Sequence, residues 1–225
     1  ITGHYMPGLP LTNRERDISG LQELFSHPHF RPDMLKIYPC MVSKGTALHA
    51  EYLAGKFMPI DAAEAAIRIT TLKKIIPEYC RIMRIQRDVP TKQWEAGVEM
   101  TNFRQYLTDN FNVICRCIRC REPKNLNIVW DRVKLKVQKY DASNGIEYFI
   151  SAEDPTLDVL IGFARLRFPS SSLRPEITPT SAILRELHVY GTAAGIGEDG
   201  DVQHHGWGQK LMKKAEEICL TNGKD

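Results

Sequence analysis

The chain has 225 residues, of which 43% are hydrophobic and 25% charged, with a net charge of +3. These are the proportions of a folded globular protein, which excludes a disordered or fibrous chain. No run approaches the ~18 uninterrupted apolar residues of a membrane-spanning helix, and Ile1-Thr2-Gly3-His4 is not a basic head leading into an apolar leader core, so the expected setting is cytoplasmic, with no membrane partner.

In chain order, residues 1 to 34 read as loop, short helix, loop. Met6-Pro7-Gly8-Leu9-Pro10 and His27-Pro28-His29-Phe30-Arg31-Pro32 bracket a helical stretch around Ile18 to Ser26. Met34 to Pro39 is a short apolar run closed by proline, the pattern of a buried strand. The chain turns helical after Gly45-Thr46. A stronger helix follows from Asp61, which caps it with Glu64 three residues on, to about Ile76, where Pro77 stops it. Tyr79 to Gln86 is again strand-like. Strand and helix alternate, which predicts a parallel sheet with helices outside it, as in the last part of an α/β barrel.

The texture changes after Val113. Val133 to Val137 alternates apolar and basic residues, as a half-buried strand does, and further strands are predicted at Glu147 to Ser151, Val159 to Phe168 and Ile183 to Tyr190. Turn signals at Asn144-Gly145 and Asp154-Pro155 predict antiparallel pairing, and a last helix spans Gln209 to Leu220. A domain boundary is expected near residue 124. The start without Met and the finish just after an amphipathic helix read as part of a longer protein.

Between residues 73 and 121 ten Lys or Arg stand against five Asp or Glu, so this window alone carries +5. Arg81, Arg84, Arg87, Lys92, Arg104, Arg116 and Arg119 are the candidates for neutralising RNA phosphates, and Tyr5, Tyr38, Trp94 and Tyr106 for stacking on bases. A solvated basic surface and core aromatics are the plain alternatives. Embedded in the same window is Cys115-Arg116-Cys117-Ile118-Arg119-Cys120. Three soft ligands within six residues can wrap one metal ion, and the arginines favour thiolates. Zinc is the expected ion, in a structural site, with Cys80 the first choice of fourth ligand and Cys40 and His49 behind it; an iron–sulfur cluster or unliganded thiols are the alternatives. The chain is too large to need disulfide staples, so a reducing interior is expected.

Gln203-His204-His205-Gly206-Trp207-Gly208 joins the last strand to the last helix. Glycines at such a junction let successive backbone N–H groups point at a phosphate. The pattern of Gln203, Gly206 and Gly208 resembles the acetyl-CoA loop of GNAT-type acetyltransferases. That resemblance implies that the pantetheine arm pairs with the strand backbone at Leu187, His188 and Val189, and that the diphosphate lies on the segment from Gln203 through Trp207 to Gln209. Glu186 and His188 share a strand face with Tyr190 and are the candidates for moving a proton. A strand residue facing solvent is the alternative for each.

His4-Tyr5-Met6-Pro7-Gly8-Leu9-Pro10, Arg16-Asp17, Leu35-Lys36-Ile37-Tyr38-Pro39, Lys44 to Leu48, Arg84-Ile85-Gln86-Arg87-Asp88-Val89-Pro90, Arg119-Cys120-Arg121-Glu122 and Glu186 to Gly191 together resemble the family of the catalytic subunit of Elongator. The resemblance implies an α/β fold class: the late part of a radical SAM (S-adenosyl-L-methionine) barrel over residues 1 to 90, a zinc-binding linker over 91 to 123, and an incomplete GNAT-like α+β acetyltransferase domain over 124 to 225. It further implies acetyl-CoA dependent carboxymethylation of a tRNA wobble uridine at C5. In the mechanism proposed for that family, S-adenosylmethionine is cleaved at an iron–sulfur cluster and the resulting deoxyadenosyl radical activates the acetyl methyl group. The cluster's three-cysteine signature is not among these residues. tRNA and acetyl-CoA are the implied ligands, and a second copy or accessory Elongator-type subunits the implied protein partners. A tRNA-binding scaffold with a silent acetyl-CoA loop and a protein-lysine acetyltransferase are the competing readings.

Overall fold

The computed structural model describes residues 1–86, 93–100, 102–124, 126–170, 174–190 and 206–225. The chain divides into two compact units, Ile1–Cys120 and Arg121–Asp225. The segment expected as a linker therefore packs within the first unit through Cys120. No helix among the described residues is long and apolar enough to cross a membrane.

The first unit is built on a three-stranded parallel sheet in the order β1 (Thr2–Tyr5), β2 (Met34–Ile37), β4 (Arg81–Ile85). Helices α1 (Arg14–Ser26) and α3 (Ala62–Ile75) provide the crossovers and pack on each other. A short antiparallel pair joins β3 (Val42–Ser43) to β5 (Trp94–Ala96), while α2 (Ala47–Leu53) and α4 (Phe103–Asn110) complete the unit. Leu21, Leu35, Ile37, Ile69, Leu72 and Ile82 form its buried centre. Asp61 caps α3 by accepting from the Glu64 N–H at 2.8 Å, and Asn13 caps α1 by accepting from Arg16 N–H at 2.9 Å. The expectation of loop at the chain start is corrected. Thr2–Tyr5 is a strand because parallel pairing with β2 organises a segment whose own pattern, half-exposed and polar, carries no strand signal.

A buried hub fixes the turn after β1. The Asp17 carboxylate accepts from Gly8 N–H at 2.9 Å and from Arg68 Nη1 at 2.7 Å, and Arg68 Nε reaches Glu64 at 2.7 Å. Gly8 sits at φ +81°, and a Cβ there would meet Ile60 at 2.9 Å, so only glycine suits this turn. Tyr5 donates its hydroxyl to the Asp17 carbonyl. Burial, with the Asp17 charge adding to it, pushes the phenol up to about 12, so it remains a donor.

The second unit is a four-stranded antiparallel sheet, β6 (Lys134–Ala142), β7 (Gly145–Asp154), β8 (Val159–Phe168) and β9 (Ile183–Val189), in sequential order. Ser143 and Asn144, both at positive φ, make a two-residue hairpin between β6 and β7. Asp154 closes the next turn by accepting from the N–H groups of Thr156 and Leu157 at 2.9 and 3.2 Å. Helix α5 (Trp207–Thr221) starts two residues earlier than its apolar pattern indicates and seats Trp207, Leu211 and Ala215 against Tyr148, Ile150, Ile161 and Leu166. The opposite face is buried as well, and holds Glu147, Phe149, Phe163 and Arg165. β6 is an edge strand rather than a half-buried one: its apolar residues Leu135 and Val137 remain 38% and 39% exposed, because α5 packs on β7, β8 and β9.

Candidate metal knuckle and coenzyme edge

The Arg81 N–H donates to the Asp33 carbonyl, which places the neighbouring main-chain groups of Cys80 and Ile82 on the outer edge of β4. Three groups from farther along the chain occupy that edge. Ile118 N–H donates to the Cys80 carbonyl at 3.0 Å, Arg104 Nη2 donates to the Ile82 carbonyl at 2.9 Å, and the Ile82 N–H donates to the Cys117 sulfur. A single 3-10 turn, Ile118–Cys120, then brings the sulfurs of Cys115, Cys117 and Cys120 within 4.8 Å of one another. Tetrahedral zinc thiolates hold their sulfurs ~3.8 Å apart, from a bond length of about 2.3 Å, so the set fits three corners of such a site.

The electrostatics suit a metal. Hydrogen bonds from the Cys115 and Cys120 thiols, then from the Ile82 and Cys120 amides, push Cys117 down to about 2. Donating to Cys117 and Cys120 holds the Cys115 thiol well above its ordinary range. One thiolate is thus flanked by two protons that a thiophilic divalent ion would replace. Cys80, the first choice of fourth ligand, is buried and its carbonyl accepts from Ile118; among the described residues the group with ligand atoms within 4.8 Å of one another is the three sulfurs alone. Cys40 is also buried outside the group, and His49 sits beside Glu95 at 4.0 Å.

The basic candidates separate into two kinds. Arg84 and Arg119 are exposed and Arg81 half-buried. Arg116 is bound to Glu78, and Arg104, half-buried, donates to the Ile82 carbonyl of β4 and lies near the thiols. Arg87 and Lys92 lie outside the described residues. The aromatic candidates are engaged within the fold: Tyr38 meets His4 edge-on, Tyr106 stacks on Phe103 at 5.7 Å, and Trp94 is half-buried in β5.

In the second unit, Tyr190 N–H donates to the Ile161 carbonyl at 2.9 Å. Antiparallel alternation then aims the main-chain groups of His188 and Glu186 at β8 and those of Leu187 and Val189 away from it. Among the described residues no strand pairs with that outer edge. Gly206, at φ +69°, is the N-cap of α5 and offers no capping side chain, so the first-turn N–H groups of Trp207, Gly208 and Gln209 have no such partner. A Cβ on Gly208 would meet Val189 at 3.8 Å, which places the helix start against the strand end. Trp207 is buried beneath the Lys210 ammonium, 3.9 Å from its ring. Gln203 lies outside the described residues.

Glu186 and His188 differ in their surroundings. The Glu186 carboxylate accepts from Arg165 Nε at 2.8 Å, and Arg165, only 1% exposed, is sandwiched between Phe149 and Phe163. Glu186 is therefore the counter-charge of a buried guanidinium. His188 is exposed, with Tyr190 at 4.5 Å and Phe163 at 5.9 Å between ring centres. Alternation in Phe163-Ala164-Arg165-Leu166-Arg167 gives Arg165 the pattern of a solvent residue, so the buried pair carries no sequence signal beyond an arginine and a glutamate on neighbouring strands.

Residues 32–112 match the Radical_SAM C-terminal domain family. The chain is 39% identical over 97% of its length to the tRNA uridine(34) acetyltransferase of Methanocaldococcus infernus, covering 43% of that protein. It is 40% identical over 97% of its length to Elongator complex protein 3 of Dictyostelium discoideum, covering 41% of it. Among solved structures, the archaeal Methanocaldococcus infernus Elp3 with an N-terminal deletion superposes with a TM-score of 0.91 at 38% identity, over 99% of this chain and 55% of that one. The chain thus spans less than half the length of these curated relatives.

Proposed function

We propose, from the premise that this chain is homologous over nearly its whole length to tRNA uridine(34) acetyltransferases and Elongator complex protein 3, that the protein it belongs to modifies the wobble uridine of tRNA with an acetyl-CoA derived group. What carries the reading is the 97% coverage at 39% identity, which runs through the cysteine knuckle and the β9–α5 junction alike.

Each residue set then has a task. The outward main-chain groups of Leu187 and Val189 would hold the amide-bearing pantetheine arm as a strand holds its neighbour, and the N–H groups of Trp207, Gly208 and Gln209 would hold the diphosphate. His188, exposed on the face shared with Tyr190, would move the proton; Arg165 holds Glu186 in place beside it. Cys115, Cys117 and Cys120 would hold zinc as a structural ion, which would supply cross-linking rather than chemistry. Arg81, Arg84 and Arg119 would meet tRNA phosphates. S-adenosylmethionine and an iron–sulfur cluster, held outside these residues, would supply radical chemistry that forms the carboxymethyl-type product.

The test uses the full-length protein with acetyl-CoA, S-adenosylmethionine and tRNA. The expected result is acetyl-CoA turnover that rises on adding tRNA, with a modified uridine recovered by nucleoside analysis. Tight tRNA binding without turnover would mark a scaffold instead, and transfer to a protein lysine a different acetyltransferase.

A further inference from the structure

One cation in the first unit has no carboxylate within reach among the described residues. Arg104, in the first turn of α4, is half-buried next to the buried Phe103 and Leu107, and its Nη2 donates to the Ile82 carbonyl at 2.9 Å. The same residue, Ile82, gives its N–H to the Cys117 sulfur. Arg104 and Cys117 therefore grip one residue of β4 from its two outward main-chain groups. The anionic groups close enough to act on the guanidinium are the three cysteines, with Arg119 acting in the opposite sense. Lys73, 3% exposed on α3, lies close enough to act on Cys120 as well.

A divalent ion with three thiolates carries one net negative charge, and on the side of the buried Cys117 that charge is costly without a fixed counter-charge. We propose that Arg104 is the positioning residue of the knuckle. It balances the charge of the metal–trithiolate group and fastens that group, through the Ile82 carbonyl, to the edge of β4. The inference rests on the knuckle holding a metal. It separates Arg104 from the tRNA-facing arginines, and it explains why a side chain of full charge is packed on the apolar face of a helix.

Partners of this outer kind are typically worth 10- to 100-fold in metal affinity. The experiment compares the full-length protein with Arg104→Gln, which keeps a donor for the Ile82 carbonyl but lacks charge, and Arg104→Lys, which keeps the charge. Zinc affinity is read by competition with a chromophoric chelator, and the sulfur-to-cobalt charge-transfer band of the cobalt-substituted knuckle reports thiolate ligation. Arg104→Gln is expected to weaken zinc by about 10-fold or more and to shift the cobalt band, Arg104→Lys to recover most of the affinity, and tRNA affinity to hold in both. Unchanged zinc affinity in Arg104→Gln overturns the proposal, as do equal losses in the two variants or a fall in tRNA affinity with zinc retained. A parent protein whose zinc content is unaffected by Cys117→Ser would instead overturn the metal reading beneath it.

Discussion

The outer strands of the two sheets end in opposite conditions. At β4 the outward main-chain groups of Cys80 and Ile82 are taken by Ile118, Arg104 and Cys117, all from within 40 residues of chain that follow the strand. At β9 the outward groups of Leu187 and Val189 face away from β8, next to a helix whose N-cap brings only a glycine. An exposed strand edge is a ready template for pairing, and a protein either covers it or uses it. The covered edge is where the fold fastens its sulfur cluster; the uncovered edge is where a peptide-like ligand would find partners. The difference is carried at β4 by one main-chain N–H and two side chains, and at β9 by a helix start whose N-cap has no side chain.

Breaking the covered edge should have the largest effect. Cys117→Ser removes both the buried thiolate and its bond from Ile82, and should abolish stoichiometric metal while destabilising the first unit by upwards of about 3 kcal/mol, read by denaturant unfolding with metal analysis in parallel. Next comes the tether of the open edge. Glu186→Ala removes the carboxylate that accepts from the buried Arg165 and should cost about 2–3 kcal/mol in the second unit, whereas Glu186→Gln, which still accepts a hydrogen bond, should cost less. Comparing the two by thermal melts tests whether charge or shape holds β9. A gentler probe is Gly208→Val. The space at its Cβ is open up to Val189, so stability should change by no more than about 1 kcal/mol, while acetyl-CoA affinity, read calorimetrically, should fall by about 10-fold as backbone approach is blocked. Gly206 is a poorer probe, since its positive φ strains any replacement. Smallest is Arg84→Ala, expected to lower tRNA affinity a few-fold and reduce the slope of log affinity against log salt by about 0.7–0.9 with no loss of metal.

The sequence made much of this architecture readable. Asp61, Glu64 and Pro77 mark both ends of α3, and the alternation of β8 and β9 locates the strands that lead to α5. The Cys-x-Cys-x-x-Cys spacing marks the knuckle because its three cysteines are neighbours in sequence. What it withheld depends on contacts between distant segments. Thr2–Tyr5 is a strand by virtue of pairing with β2, not of its own composition. Cys80 is tied to the knuckle through its carbonyl, which accepts from Ile118, and no spacing in the sequence reveals that contact. Arginines read alike along the chain, yet Arg84 is exposed, Arg104 turns to sulfur and Arg165 is stacked between phenylalanines. Strand period assigns a face, and only the tertiary structure says whether that face meets water.

The Asp17 hub has an evolutionary corollary. Its carboxylate answers an amide of the β1 turn and a guanidinium of α3 at once, so losing Arg68 alone strands an anion, while losing Asp17 alone strands the amide and leaves Arg68 with Glu64 as its carboxylate partner. Descendants of this chain should therefore exchange the two positions jointly, and a double-mutant cycle between them should be strongly non-additive. Whatever the turn between Met6 and Pro10 presents to its surroundings is inherited together with a helix residue some sixty positions away.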